Sequence, residues 1–457
     1  MLNSRRRLQE NIAALSVLQL LGYITPLLTV PYLVRVLKPS QFGLLSFAQG
    51  IVLYFDLLTD YGFNLSATRA IAAEREEPEA VSRIFWSTLC AKGILMLGSG
   101  MALSLLVAFA PKLRDTPSLY AVSFLYVLGT ALFPVWLFQG LEQLKVAAVA
   151  LGIARLLTIP ALLFWVRDEQ DVVIAAGIQA SVQLTATILI APILFKRVAL
   201  GWHPPSFPDI VQTFRAGWPL FISGAVMHVC SSSTTVVLGF VATRSEVGYY
   251  SAADKLIRAA VALINPLSQA LYPHITAAKT SSASLALRLI RKSFVSMGLF
   301  SLAVSVATLL LAAPICRWLL GASFAPSVYV LQWLSPLPLL FGLMAVFGTQ
   351  TMLVFEMDSM MSRIVLASSV AGIPLTVALS SLFGAQGAAA ASTALAAAMV
   401  AAMAAATSTR LSASCRTSPI SGSTPSTSPA GSSGRRRTSR RWCRCCWSSA
   451  ASASGRV

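Results

Sequence analysis

Two stretches near the start of the chain, Ile12–Val34 and Phe42–Leu65, leave few ways to fold. The first carries no charge, and at 1.5 Å per residue a helix of that length reaches ~30 Å, the thickness of a bilayer's hydrocarbon core. Inside lipid only a helix or a closed barrel satisfies its own backbone groups, so this stretch is expected to span a membrane. The second stretch is as long but holds Asp56, Asp60 and Asn64 at four-residue spacing, on one helical face. An ionisable group at that depth costs roughly 3 kcal/mol or more, so the face should look into a protein interior or a wet cavity. A pair of membrane helices with a polar seam points to a transporter.

The rest of the chain has the same character. Hydrophobic residues make up 56% of it and charged residues 11%, and the mean hydropathy is +0.71. That composition places the chain among polytopic membrane proteins. Arg5, Arg6 and Arg7 precede an apolar run, but the run is too long for a signal peptide and lacks a small-residue cleavage site, so the first helix is expected to stay. Twelve spans are predicted, at 12–34, 42–65, 84–110, 119–139, 144–166, 172–195, 214–240, 247–275, 289–312, 327–355, 361–382 and 386–406. The fold class is therefore all-α, and no loop is long enough to fold as a catalytic domain.

Basic residues orient the spans. With the amino terminus cytoplasmic, fifteen fall on the inner side (Arg5, Arg6, Arg7, Arg69, Arg75, Arg83, Lys145, Lys196, Arg197, Arg215, Lys279, Arg288, Arg291, Lys292, Arg363). Seven fall on the outer side (Arg35, Lys38, Lys112, Arg114, Arg167, Arg244, Arg317). This asymmetry favours the amino terminus inside. The chain also repeats itself: PSQFGLLSFAQ around Gly43 returns as RSEVGYYSAAD around Gly248, 205 residues later (248 − 43). An offset of six helices preserves topology, so residues 1–200 and 201–406 should form two parallel, pseudo-symmetric lobes of six helices flanking a central cleft.

Several ionisable residues fall inside these spans. Lys92 lies roughly 12 Å into the third span, and Arg155 and Arg258 fall near the middle of the fifth and eighth. Lys255 and Arg258 share a face, and Asp254 lies one turn from Arg258, so an internal ion pair is available. Each cation can be read as a structural pair or as a side chain snorkelling to an interface. Arg155 and Arg258 belong to different lobes, and a central cleft is the place both can share. Arginine offers planar multidentate donors to phosphate oxygens and holds its charge in a low dielectric, so a basic cleft suits an anionic, bulky cargo. Asp56 and Asp60 raise each other's proton affinity if adjacent, which makes them candidates for ion coupling with Asp254, unless Arg69 or Lys92 holds them ionised. Pro26 and Pro31 in the first span, Pro219 in the seventh and Pro266 in the eighth remove backbone hydrogen bonds and are candidate hinges, or else static packing kinks. Pro273, Pro336 and Pro338 act similarly.

His203, His228 and His274 are scattered, and Cys90, Cys230 and Cys316 sit singly in spans, so no metal site is expected. No G-x-x-x-x-G-K-[ST] loop occurs, so ATP is not expected to drive the chain directly, and no cofactor or nucleic-acid partner is expected. From about Thr407 the text turns into a Ser-, Arg- and Cys-rich tail, 407–457, with nine of the 35 Lys and Arg residues. The tail reads as disordered, with a basic lipid contact or a zinc cluster at Cys443, Cys445 and Cys446 as functional alternatives, or as the product of a shifted reading frame.

Three blocks carry a resemblance to a known family: P-x-L-T-x-P-Y-L-x-R-x-L at Pro26–Leu37, FGLLSFAQ at Phe42–Gln49 and DYGFNLSATR at Asp60–Arg69. In that order and spacing they resemble the amino-terminal signature of polysaccharide flippases, the Wzx-type members of the multidrug/oligosaccharidyl-lipid/polysaccharide (MOP) exporter superfamily. The resemblance implies a V-shaped pair of lobes with spans one, two, seven and eight lining the cleft. It implies a cargo of lipid-linked oligosaccharide, with the polyprenyl tail in lipid and the pyrophosphate at the cavity cations Arg155, Arg258, Lys255, Lys92 and Arg69. It also implies an inner-membrane location beside polysaccharide polymerase and chain-length proteins. Four alternatives stay open, one of them a non-transporting scaffold, which would not need intramembrane arginine. A cation-coupled drug antiporter of the same superfamily would use the acids. A membrane enzyme would need a paired catalytic constellation. A frameshifted gene would give an inactive product.

Overall fold

The computed structural model describes residues 2–196 and 200–417, with side chains from Gly22 onward except residues 23, 195–199, 223, 225–232, 283 and 411–417. Among the described residues every regular element is a helix. Eight stretches are long and apolar enough to cross a membrane. Two of them, Ile24–Ala73 and Asp358–Arg410, bend at a left-handed residue, Lys38 and Gly384, each with φ 56°, and so form two legs apiece. Two further legs, over 207–241 and 244–281, complete twelve. They are numbered α1 (2–38), α2 (39–73), α3 (Pro78–Phe109), α4 (Pro117–Gly140), α5 (Leu144–Trp165), α6 (172–196), α7 (Phe207–Val241), α8 (244–281), α9 (283–310), α10 (Ser327–Leu353), α11 (358–383) and α12 (385–417).

Local chemistry explains the corners. The Pro39 ring disfavours helical backbone at Lys38, so α1 stops there and Pro39 opens α2 as a first-turn residue. The equivalent corner, 205 residues on (243 − 38), is built by Thr243, whose side chain accepts a hydrogen bond from the Glu246 amide at 3.3 Å. Both α2 and α8 then break near their middles, at Tyr61–Gly62 (φ 45° and 76°) and at Leu263–Ile264. The second predicted span therefore continues past Leu65, resuming over Phe63–Ala73. The last helix likewise runs past 406 to Thr417. The basic residues Arg5, Arg6, Arg7 and Arg197, and the Cys443–Cys446 cluster with most of the tail, lie outside the described residues or side chains.

The end that carries Lys38 and Thr243 is called the distal face, and the end that carries Ala73 and Phe207 the proximal face. The largest apolar core joins both halves: Leu33, Phe42, Leu45 and Ile51 pack in one cluster with Val247, Ile257, Phe324 and Leu334. Towards the proximal face the cores separate. One contains Ile71, Phe85, Trp136 and Leu151 of the first half, and others contain Ile264, Met297, Met352 and Met403 of the second. The two halves thus share a core at the distal face and have separate apolar cores below it, with α2 and α7 still in contact across the halves around Tyr61 and Phe221.

Lipid tails are as apolar as leucine, so packing between membrane helices depends on close approach rather than on the hydrophobic effect. Gly43 and Gly248 show this. A Cβ on Gly43 would run into the Arg244 carbonyl oxygen, and one on Gly248 into the Pro39 carbonyl oxygen. The two repeat glycines are thus each other's crossing point, where α2 and α8 pass backbone against backbone. At the proximal face each lobe is stapled to itself. Arg75 pairs with Glu142 and Lys279 with Glu356, both at 2.7 Å, and both glutamates have φ 57°. The Lys279 ammonium holds the Glu356 carboxyl below its ordinary range.

Candidate functional site

Below the Gly43–Gly248 crossing, the ionisable residues of the spans fall into separate groups. In the first lobe, Asp56 on α2 accepts a hydrogen bond from the Thr130 hydroxyl on α4. Tyr126, one turn before Thr130, lies in electrostatic range of both Asp56 and Arg155. Arg155, on α5, reaches α1: a Cβ on Gly22 would lie 3.0 Å from its guanidinium. Gly22 thus leaves room for the arginine head between α1 and α5. The group thus gathers an acid from α2 and a phenol and a hydroxyl from α4 near Arg155 of α5, all in one lobe.

Asp60 belongs to another group. The Lys92 ammonium on α3 donates to Asp60 Oδ1 at 3.0 Å and to Asn64 Oδ1 at 3.4 Å, and the Lys92 side chain is only 2% exposed. The face that joins Asp56, Asp60 and Asn64 in a straight helix is therefore divided. Its upper member turns to α4, and its lower two, on either side of the Tyr61–Gly62 break, turn to α3. Of the two cations expected to hold the acids, Lys92 takes Asp60, while Arg69 is exposed on the Phe63–Ala73 segment. Beside this pair the Thr59 hydroxyl donates to Ser99 Oγ at 3.2 Å.

On α8 the expected ion pair is present: Arg258 Nε donates to Asp254 Oδ2 at 2.6 Å, with side chains 59% and 16% exposed respectively. Holding Nε fixes the plane of an exposed guanidinium head. Lys255 leaves this group and crosses to the other lobe, its ammonium 4.9 Å from the centre of the Phe42 ring. Next to Asp254, the Tyr250 hydroxyl lies 3.2 Å from Ser392 Oγ on α12, which is 3.4 Å from Thr234 Oγ1 on α7. Tyr54 on α2 donates to Ser233 on α7 at 3.0 Å, a cross-lobe bond. These hydroxyls had no motif to announce them, although the run of five from Ser231 to Thr235 within an apolar helix was the available signal.

The prolines divide too. Pro26 and Pro31 lie within a helical stretch of α1, whose non-helical residue is Lys38. Pro266 is a first-turn residue of the second half of α8, so the bend there precedes it at Leu263–Ile264. Pro219 lies two residues beyond Gly217, where a Cβ would come 2.7 Å from the Tyr61 carbonyl oxygen. Tyr61 itself stacks on Phe221 at 4.9 Å and meets Phe214 and Trp218 at 5.5 and 6.0 Å. The Tyr61–Gly62 break in α2 thus abuts the proline-bearing stretch of α7. The side chains of His228 and Cys230 lie outside the described residues; Cys316 is buried, and His274 is exposed.

Comparison with known proteins adds family and fold. Residues 8–279 match the family described as "Polysaccharide biosynthesis protein". A protein provisionally named O-antigen transporter from Escherichia coli (strain K12) is 32% identical over 382 residues, 84% of this chain and 92% of that protein. One of the same name from Shigella dysenteriae is 26% identical over 380 residues, 83% and 95% of the two chains. Among solved structures, the inward-facing conformation of a multidrug resistance MATE family transporter of the MOP superfamily overlays with a TM-score of 0.67 at 15% identity, covering 90% of this chain and all 100% of that one. Lipid II flippase MurJ in an inward closed conformation overlays at 0.66 and 14% identity, over 87% of each chain. These two likenesses establish the fold.

Proposed function

Because the chain belongs to the polysaccharide biosynthesis protein family, we propose that it carries a polyprenyl-pyrophosphate-linked oligosaccharide across the bacterial cytoplasmic membrane, for assembly of a surface polysaccharide such as O-antigen, capsule or exopolysaccharide. It works by alternating access: the two lobes rock about their contacts, and the cargo's sugars and phosphates pass between them while the tail stays in lipid. The basic-residue asymmetry supports a cytoplasmic amino terminus and proximal face, with the shared core at the distal face closing the outer side. The observation that supports the reading is the pair of arginines near the middles of α5 and α8, Arg155 beside Gly22 and Arg258 clamped by Asp254. An arginine in such a place is expensive unless it has work there, and its planar head matches a pyrophosphate. Asp56, with Asp254 on the other lobe, supplies the ion coupling, whereas Asp60 is tied into a structural pair. Polymerase and chain-length proteins would receive the delivered units on the outer side.

The test is genetic. Arg258→Ala or Arg155→Ala should abolish surface polysaccharide at unchanged membrane abundance. Lysine at either position should restore part of it, since charge survives but the planar fork does not. Normal polysaccharide in both alanine variants would remove these residues from the cargo path.

A further inference from the structure

The distal face holds a second set of cross-lobe contacts that the cargo path does not use. Between α3 and α4 the first lobe carries the short helix Pro111–Arg114. From it the Lys112 ammonium reaches the C-terminal end of α7 in the other lobe and donates to three carbonyl oxygens, those of Phe240, Ala242 and Gly239, at 2.8, 3.2 and 3.3 Å. These carbonyls lack partners within the helix and form the negative end of its dipole, so a cation there is held by charge and geometry together. One turn on, Asp115 pairs with Arg244 of the α7–α8 corner at 2.9 Å. That pair is exposed at 42% and 65%, so it sets register more than strength.

A related contact, with donor and acceptor sides exchanged, occurs in the second lobe at the repeat offset of 205. Lys112 corresponds to Arg317 (317 − 112) and Phe240 to Arg35 (240 − 35). Here Arg35, at the α1–α2 corner, donates to the Trp318 carbonyl oxygen of the α9–α10 loop, and Phe42 meets Phe324 edge-on at 6.1 Å. Each lobe's distal loop is thus bonded to the other lobe's helix corner, by a loop lysine in one case and by a corner arginine in the other. One turn below the glycine crossing lies another related pair, Ser46 and Ser251 (251 − 46 = 205), buried at 5% and 4% exposure. Their hydroxyls have no hydrogen-bond partner among the described residues. A hydroxyl buried in this way has lost its bond to water and regains it when the seam opens.

We propose that Lys112, with Asp115 and Arg244, and its counterpart, Arg35 on the Trp318 loop, form twin clasps that set how often the distal seam opens. They work against the hydration that Ser46 and Ser251 recover on opening, so the closed and open states are kept within reach of each other. This inference rests on the alternating-access reading above and assigns the outer gate to side chains outside the cargo path.

The experiment places Ser46→Cys or Ser251→Cys as a reporter and labels intact cells with a membrane-impermeant maleimide, using the chain without the reporter as background. Lys112→Ala should raise reporter labelling several-fold, and Lys112→Arg, which keeps cationic donors, should leave it near the starting level. Arg244→Ala should raise it less, and the exchange Asp115→Arg with Arg244→Asp should return it. Labelling unchanged by both Lys112→Ala and Arg244→Ala overturns the clasps. Failure of the underlying reading shows separately. Bridging Asp115→Cys to Arg244→Cys with a short bis-maleimide should stop polysaccharide delivery, and delivery that continues through the bridged protein overturns alternating access itself.

Discussion

Replacing Lys92 by methionine tests whether Asp60 is a structural or a coupling acid. Methionine keeps most of the side chain's length and apolar stem but removes the ammonium, which donates to Asp60 at 3.0 Å and to Asn64 at 3.4 Å. Breaking a fully buried pair costs about 3–5 kcal/mol, because the remaining charge is left without compensation. Lys92 meets that condition at 2% exposure, but Asp60 is 30% exposed. Partial access to water discounts the figure to about 2 kcal/mol, roughly a thirtyfold change in the unfolding constant. Substituting Asp60→Asn as well removes the uncompensated charge, and such neutralised pairs cost about 1 kcal/mol or less against the original. The order of stability should therefore be parent, then double variant, then Lys92→Met alone, read as unfolding midpoints in detergent and as abundance in the membrane. A double variant no more stable than Lys92→Met would refute the pairing argument and return Asp60 to the candidates for proton coupling.

Two further outcomes follow from the same geometry. Asp56→Asn keeps an acceptor for the Thr130 hydroxyl, so the protein should remain abundant but flip its cargo without responding to an imposed pH gradient in reconstituted vesicles; an undiminished response would exclude Asp56 as the coupling acid. For orientation, the exposed residues Ser40 and Ser118 lie at the distal face, and Glu79 and Ser206 at the proximal one. Cysteines at the first two should react with an impermeant reagent in intact cells and those at the last two only after permeabilisation, and a reversal would invert the proposed topology.

Much of the architecture was legible in the chain because a bilayer imposes one simple rule on every span. Length and apolarity alone marked twelve segments, and the described residues contain twelve legs with broadly those bounds. The repeat around Gly43 and Gly248 was equally plain as text. The i,i+4 pair of Asp254 and Arg258 could be read directly, since a helix itself brings those positions together. What depended on other helices could not. The sequence placed Asp56, Asp60 and Asn64 on one face, but only packing against α3 and α4 decided that Lys92 would hold the lower two and Thr130 the upper. Helical spacing aligned Lys255 with Arg258, yet the approach of Phe42 from the other lobe drew the lysine across the interface. Prolines marked candidate bends, but α1 runs helical through Pro26 and Pro31 and turns at Lys38, because a neighbouring ring constrains the residue before it. That the two repeat glycines would be each other's contact is a property of neither copy alone. A lone motif states which residue has no side chain, and only the assembled pair of lobes decides which backbone takes up the space.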